Sequence, residues 1–143
     1  DDPSFSANIT DKINRLIARA NEYGYTTPFE YMKKFYKVIK EVKIEDREKL
    51  LAILEAKQKE IVNINDAIKY ASNINCFELI EANDNEELGR KLVYNGEIDI
   101  EDLMDYSDLD RLGEEYSIDK GIIKTEQGYL MQEKDLEEEE EFE

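Results

Sequence analysis

The chain has no histidine and no tryptophan, one cysteine, two prolines, and no apolar run long enough to span a bilayer. Without histidine there is no Ser/His/Asp or Cys/His nucleophilic system, no His-ligated zinc, and none of the commonest general base. No Walker loop and no Gly-x-Gly-x-x-Gly fingerprint occurs. Carboxylate-only chemistry, in a metal-dependent nuclease or a glycosidase, is what remains open to an enzyme. The excess of acids would repel phosphate substrates, so the chain reads as a non-enzyme with no cofactor. The lone Cys76 excludes an intrachain disulfide and precedes an apolar stretch, which makes it a core thiol of a reducing compartment. With no leader pattern either, a cytoplasmic protein without membrane insertion is expected.

Basic residues are scarce in one half only. Residues 1–76 hold 12 acids and 13 bases, a net of +1, whereas residues 77–143 hold 24 acids and six bases, a net of −18. Charge asymmetry of this size reports on partners rather than on fold. The acidic half is repelled by nucleic acid and by membrane surfaces, and it is attracted by basic grooves. Most basic grooves are built to hold nucleic acid.

What is present is helical periodicity with punctuation. Residues 1–8 read as a loose lead-in, followed by a helix over 10–23 whose stripe is Ile13, Leu16, Ile17 and Ala20, closed by Gly24. Thr27-Pro28-Phe29-Glu30 reads as a capped start for a helix over 28–42, with Phe29, Met32, Phe35, Tyr36 and Ile39 inward and Lys33, Lys34, Lys37 and Lys40 elsewhere. A further helix is expected over 46–60, and a shorter one over 66–72 capped by Asn65. The character changes at Asn75. A strand over 76–80 precedes a helix capped by Asn83 and ended near Asn95-Gly96, then two helical segments over 100–115. A hairpin of strands over 121–125 and 129–132 turns at Glu126-Gln127-Gly128 and joins 76–80 in a three-stranded sheet. The fold class is therefore α+β and mostly helical: a helical N-terminal subdomain over 1–75, an acidic domain of helices and a short sheet over 76–132, and an acidic tail over 133–143.

The stretch Asp84 to Tyr116 holds 12 acids against Arg90, Lys91 and Arg111, yet Leu88, Leu92, Val93, Ile100, Leu103, Met104, Leu109 and Leu112 return through it at helical spacing. If residues 100–116 form one or two helical segments, Glu101, Asp105 and Asp108 stand at i, i+4 and i+7 with Asp102 beside them, on a face roughly opposite Leu103 and Leu112. Like charges at this spacing cost a few tenths of a kcal/mol per pair, so folding gains nothing from them. A span of that length covers about 25 Å, over which duplex DNA turns roughly half of its ~15 phosphates to one side. Residues 99–115 supply eight acids, a comparable density. The candidate partner-binding residues are Asp84, Glu86, Glu87, Glu101, Asp102, Asp105, Asp108, Glu114 and Glu115. Asp108, Asp110, Gly113 and Asp119 also match four positions of a calcium loop, but Leu112 breaks its liganding pattern. Gly89 and Gly113 fit close helix packing or helix ends, and Tyr106 and Tyr116 fit either a core or an interface.

From Asn83 onward the residues resemble the C-terminal domain of ArdA-type antirestriction proteins. The blocks are Glu87-Leu88-Gly89-Arg90, then Asn95-Gly96-Glu97-Ile98 with Asp105-Tyr106-Ser107-Asp108 and Leu112-Gly113, then Thr125-Glu126-Gln127-Gly128-Tyr129. Asp99 stands where that family usually has proline, Gly113-Glu114-Glu115 where it has Gly-Arg-Asp, and its strand-rich N-terminal domain has no counterpart. The resemblance implies a shortened relative of elongated, dimeric DNA mimics that occupy type I restriction enzymes. It points to a phage or mobile-element inhibitor of a DNA-binding defence protein, either a restriction enzyme or an RNA-guided nuclease, with homodimerisation as one assembly. The other class in play is an acidic protein–protein interaction module of a larger mobile-element protein, without DNA mimicry.

Overall fold

The computed structural model describes residues 3–24, 26, 28–105 and 107–136, without the side chains of residues 3, 4, 102 and 107. Six α-helices and three strands lie among them: α1 Pro3–Glu22, α2 Phe29–Lys40, α3 Arg47–Ala56, α4 Ile64–Ala71, β1 Phe77–Ile80, α5 Asn85–Tyr94, α6 Ser107–Lys120, β2 Ile123–Thr125 and β3 Gly128–Gln132. The class is α+β and mostly helical.

The first helix begins at Pro3, not near residue 10. Phe5, Ile9 and Ile13, one turn apart and all buried, extend the core stripe into the expected lead-in. In α2 the buried arc is centred on Phe35, flanked by Tyr31, Met32, Val38 and Ile39. Phe29 and Tyr36, expected inward, are instead 77% and 44% exposed. The expected capping box rests on Thr27, which lies outside the described residues; α2 has Pro28 at its cap position, with no side-chain cap bond. The cap of α4 is Asn63 rather than Asn65. Its Oδ1 accepts the Asp66 amide at 3.1 Å while Asp66 Oδ2 accepts the Val62 amide at 3.0 Å, a reciprocal arrangement that satisfies two otherwise orphaned donors.

The centre of the molecule is α3, which ends at Ala56 rather than at residue 60. Leu50, Leu51, Ala52, Ile53 and Leu54 are all buried, as in a helix covered on every side. Leu50, Leu51 and Leu54 pack with α1, α2 and α4, while Ala52 and Ile53 meet Cys76, Phe77 and Leu130 of the sheet region. Apolar packing is thus continuous across residues 75–76. The sheet is antiparallel in the order β1-β3-β2, with Leu130 opposite both Leu79 and Ile123. The expected hairpin forms with Glu126-Gln127 at its tip, and Gly128 belongs to β3. The Thr125 hydroxyl donates to Gly128 O at 2.9 Å and accepts the Gln127 amide at 3.2 Å. None of the described helices is long and apolar enough to cross a membrane.

Candidate acidic interface

The acidic half is built on α5 and α6, which cross at glycines. A Cβ on Gly89 would lie 2.1 Å from Leu109 O, and one on Gly113 would lie 2.2 Å from Asn85 O and 3.0 Å from Gly89 N. Backbone meets backbone there, as the close-packing reading of these glycines anticipates. The pair encloses Leu88, Leu92, Ile98 and Tyr129, with Leu112 and Tyr116 partly covered. The Tyr129 hydroxyl donates to Asn85 Oδ1 at 2.9 Å and ties the sheet to the start of α5. This crossing fixes the frame from which the carboxylates project.

Residues 100–116 do not form the expected helix face. A 3-10 turn spans Ile100–Asp102, Leu103 is extended, and α6 starts at Ser107. Ile100 and Met104, expected in the core stripe, are 67% and 89% exposed. Glu101, Asp105 and Asp108 therefore share no helix. Glu101 and Asp105 are exposed, and the Asp102 side chain is outside the described residues.

Asp108 is turned inward. Its Oδ2 accepts the amides of Met104 and Asp105, its Oδ1 takes a hydrogen bond from Arg111 at 3.1 Å, and the residue is buried. Those backbone bonds first, and then Arg111, hold its carboxyl below the usual range. Asp108 is a structural anion that closes the entry to α6. Asp84 has a similar duty. It, rather than Asn83, caps α5, accepting the Glu87 amide at 2.8 Å, while Asn83 Nδ2 donates to Glu87 Oε2 at 3.4 Å. Glu86 pairs with Arg90 at 3.1 Å and Glu115 with Arg111 at 3.3 Å. Of the nine expected residues, Glu101, Asp105 and Glu114 are exposed, and so is Asp110 on α6. The calcium-loop spacing from Asp108 to Asp119 lies within α6, and no group of three or more potential metal ligands gathers among the described residues.

A second cluster was not anticipated from the sequence. Glu97 accepts a hydrogen bond from the Tyr116 hydroxyl at 3.3 Å. The Tyr116 hydroxyl is raised by burial first, then by Glu97, Glu78 and Asp119. Glu78 is raised by burial first, then by Glu133 and Glu97, with Lys49 opposing. Glu97, Glu78 and Asp119, distant in sequence, thus act on one tyrosine, and Glu133 acts on Glu78. The sheet brings Glu78 and Glu133 together, since β1 carries Glu78 on its outward face and Glu133 follows β3, its amide bonded to Cys76 O at 2.7 Å. The outward position of Glu78 within Phe77–Ile80 was the only local signal.

These two environments give opposite pH signs. Glu78 has a folded pKa above its unfolded value, so its charge is a penalty at neutral pH that is relieved as pH falls through the folded pKa. Asp108 has a folded pKa below 3.8, so its contribution is fully present above that value and is lost as pH falls through the folded pKa. Glu78→Gln is expected to raise Tm at neutral pH, with the gain shrinking towards pH 4.5. Thermal melts of both proteins across that range check it, and a gain independent of pH would contradict the charge origin.

Comparison with protein-family models, with curated proteins and with solved structures returns no match.

Proposed function

We propose that this protein is a stoichiometric inhibitor of host DNA defence, carried by a phage or mobile element. Its acidic half would occupy the basic DNA-binding channel of a restriction enzyme or RNA-guided nuclease. The observation that carries this reading is the charge gradient, +1 over residues 1–76 against −18 over residues 77–143, set on a frame whose crossing is backbone on backbone. A counterfeit of phosphate needs carboxylates held in place, because mobile charges lose the entropy of ordering when they bind. The ArdA resemblance of residues 83–132 agrees with this class of activity.

Asp84 and Asp108 serve helix starts, and Glu86 and Glu115 share their charge with arginines. Glu101, Asp105, Asp110 and Glu114, all exposed, are the contact carboxylates of the proposal. Association driven by such charges is fast and falls steeply with salt.

The exposed side chains of Tyr94, Ile100 and Met104 favour a second reading, an acidic protein–protein interaction module without DNA mimicry. Competition separates the two. With a purified defence nuclease bound to the chain, added duplex DNA displaces a DNA mimic and leaves a plain interaction module in place. Retention of the complex at saturating duplex would overturn the mimicry reading.

A further inference from the structure

The outer face of α2 carries a stripe that the fold does not use. Phe29, Lys33, Tyr36, Lys37 and Lys40 are all exposed. At 3.6 residues per turn they fall within an arc of roughly 100°, and they extend over about 16 Å of helix. The arc lies opposite the buried Phe35. Lys33 Nζ sits 5.9 Å from the centre of the Phe29 ring, so cation and aromatic form one surface. Four lysines and one glutamate give α2 a net charge of +3. Two exposed aromatic rings on one helix face, set among cations, form an amphipathic contact surface of the kind that anchors interfaces.

The segment 94–105 has the complementary character. It contains five acids and no base. Tyr94, Ile100 and Met104 are 91%, 67% and 89% exposed, and Asp99, Glu101 and Asp105 are exposed between them. One surface alternates aromatic and cationic groups, and the other alternates apolar and anionic groups.

We infer that α2 of one copy docks on segment 94–105 of a second copy, a head-to-tail contact between complementary rather than identical surfaces. Because each copy keeps one free surface of each kind, the association is open-ended, adding copies with concentration instead of stopping at two. This contact is inferred independently of what the acidic half binds, but it covers Glu101 and Asp105 while it lasts and so competes with any partner that uses them.

Sedimentation equilibrium of the full chain tests this over a concentration series at about 0.1 M and 1 M salt, where the screening length falls from roughly 10 Å to 3 Å. The expected result is a mass that rises above the 16.8 kDa monomer with concentration at low salt, with at least a roughly ten-fold loss of affinity at high salt. That sign is informative, because salt would strengthen an association limited by like-charge repulsion. The triple reversal K33E/K37E/K40E and the triple reversal D99K/E101K/D105K each remove self-association, and mixing the two variants restores it. The milder F29S/Y36S variant, altered only at exposed positions, also weakens it and guards against misfolding of the charge variants. A monomer at every concentration, or self-association unchanged in these variants, would overturn the inference. So would lysine-dependent binding of a labelled single-stranded oligonucleotide by a monomeric chain, which would make the stripe a nucleic-acid face.

Discussion

Gly113→Ala lowers stability by about 3 kcal/mol or more, where the same substitution in an uncrowded helix would raise it by about 1 kcal/mol. The sign separates two accounts of the glycine. Alanine is the better helix former because it loses less backbone entropy. In α6, however, the added carbon would stand 2.2 Å from Asn85 O. A carbonyl oxygen in a helix cannot yield as the end of a long side chain can, so α5 and α6 must separate. Separation opens the cluster of Leu88, Leu92 and Ile98 and pulls Asn85 from the Tyr129 hydroxyl. Gly89→Ala meets Leu109 O at 2.1 Å and behaves alike. Urea unfolding followed by circular dichroism checks both, and the double variant should cost less than the sum, because one separation relieves both clashes. A stabilised Gly113→Ala would show that the helices do not touch there.

The second large effect is at the centre. Ile53 is fully buried and faces the sheet through Phe77, Cys76 and Leu130. Truncation to alanine removes three carbons and leaves a cavity between secondary-structure layers that relax little, at a cost of about 3–4 kcal/mol. For a chain of this size that corresponds to a fall in Tm of about 10 °C. Because α3 also packs through Leu50, Leu51 and Leu54 on α1, α2 and α4, the loss should weaken the N-terminal helices and the sheet together. Hydrogen exchange read by peptide tests this. Segments from α1 and from β3 should lose protection in parallel, and loss confined to the sheet would mean that the two cores unfold independently.

Much of this architecture was legible in the sequence because it rests on local signals. The element order, the hairpin at Glu126-Gln127 and the three-stranded sheet follow from period and turn residues. The errors have physical causes. Asn65 and Asn83 are good caps by type, but the residues whose backbone is extended ahead of the helix are Asn63 and Asp84, and residue type alone does not choose among neighbouring polar positions. Phe29 and Tyr36 are apolar by type, yet the arc holding Phe35, Val38 and Tyr31 buries better against the other helices, which turns both rings out. The candidate site was harder to read. Asp108 has the spacing of a surface array, but an anion is worth more at a helix start, where amide donors lack partners, and it folded inward. Glu78 and Glu133 come together only after strand pairing, so no window of sequence contains both.

The central claim is that the exposed carboxylates of the α5–α6 frame carry an inhibitory contact, beyond keeping the protein soluble. The most direct measurement is phage plating on hosts with and without a defined restriction or RNA-guided system, expressing either the chain or its E101Q/D105N/D110N/E114Q variant. The account predicts that the wild-type chain restores plating on defended hosts, and that the neutralised variant, folded and equally abundant, loses that protection at least roughly ten-fold. Protection by the variant equal to that of the wild-type chain would contradict it.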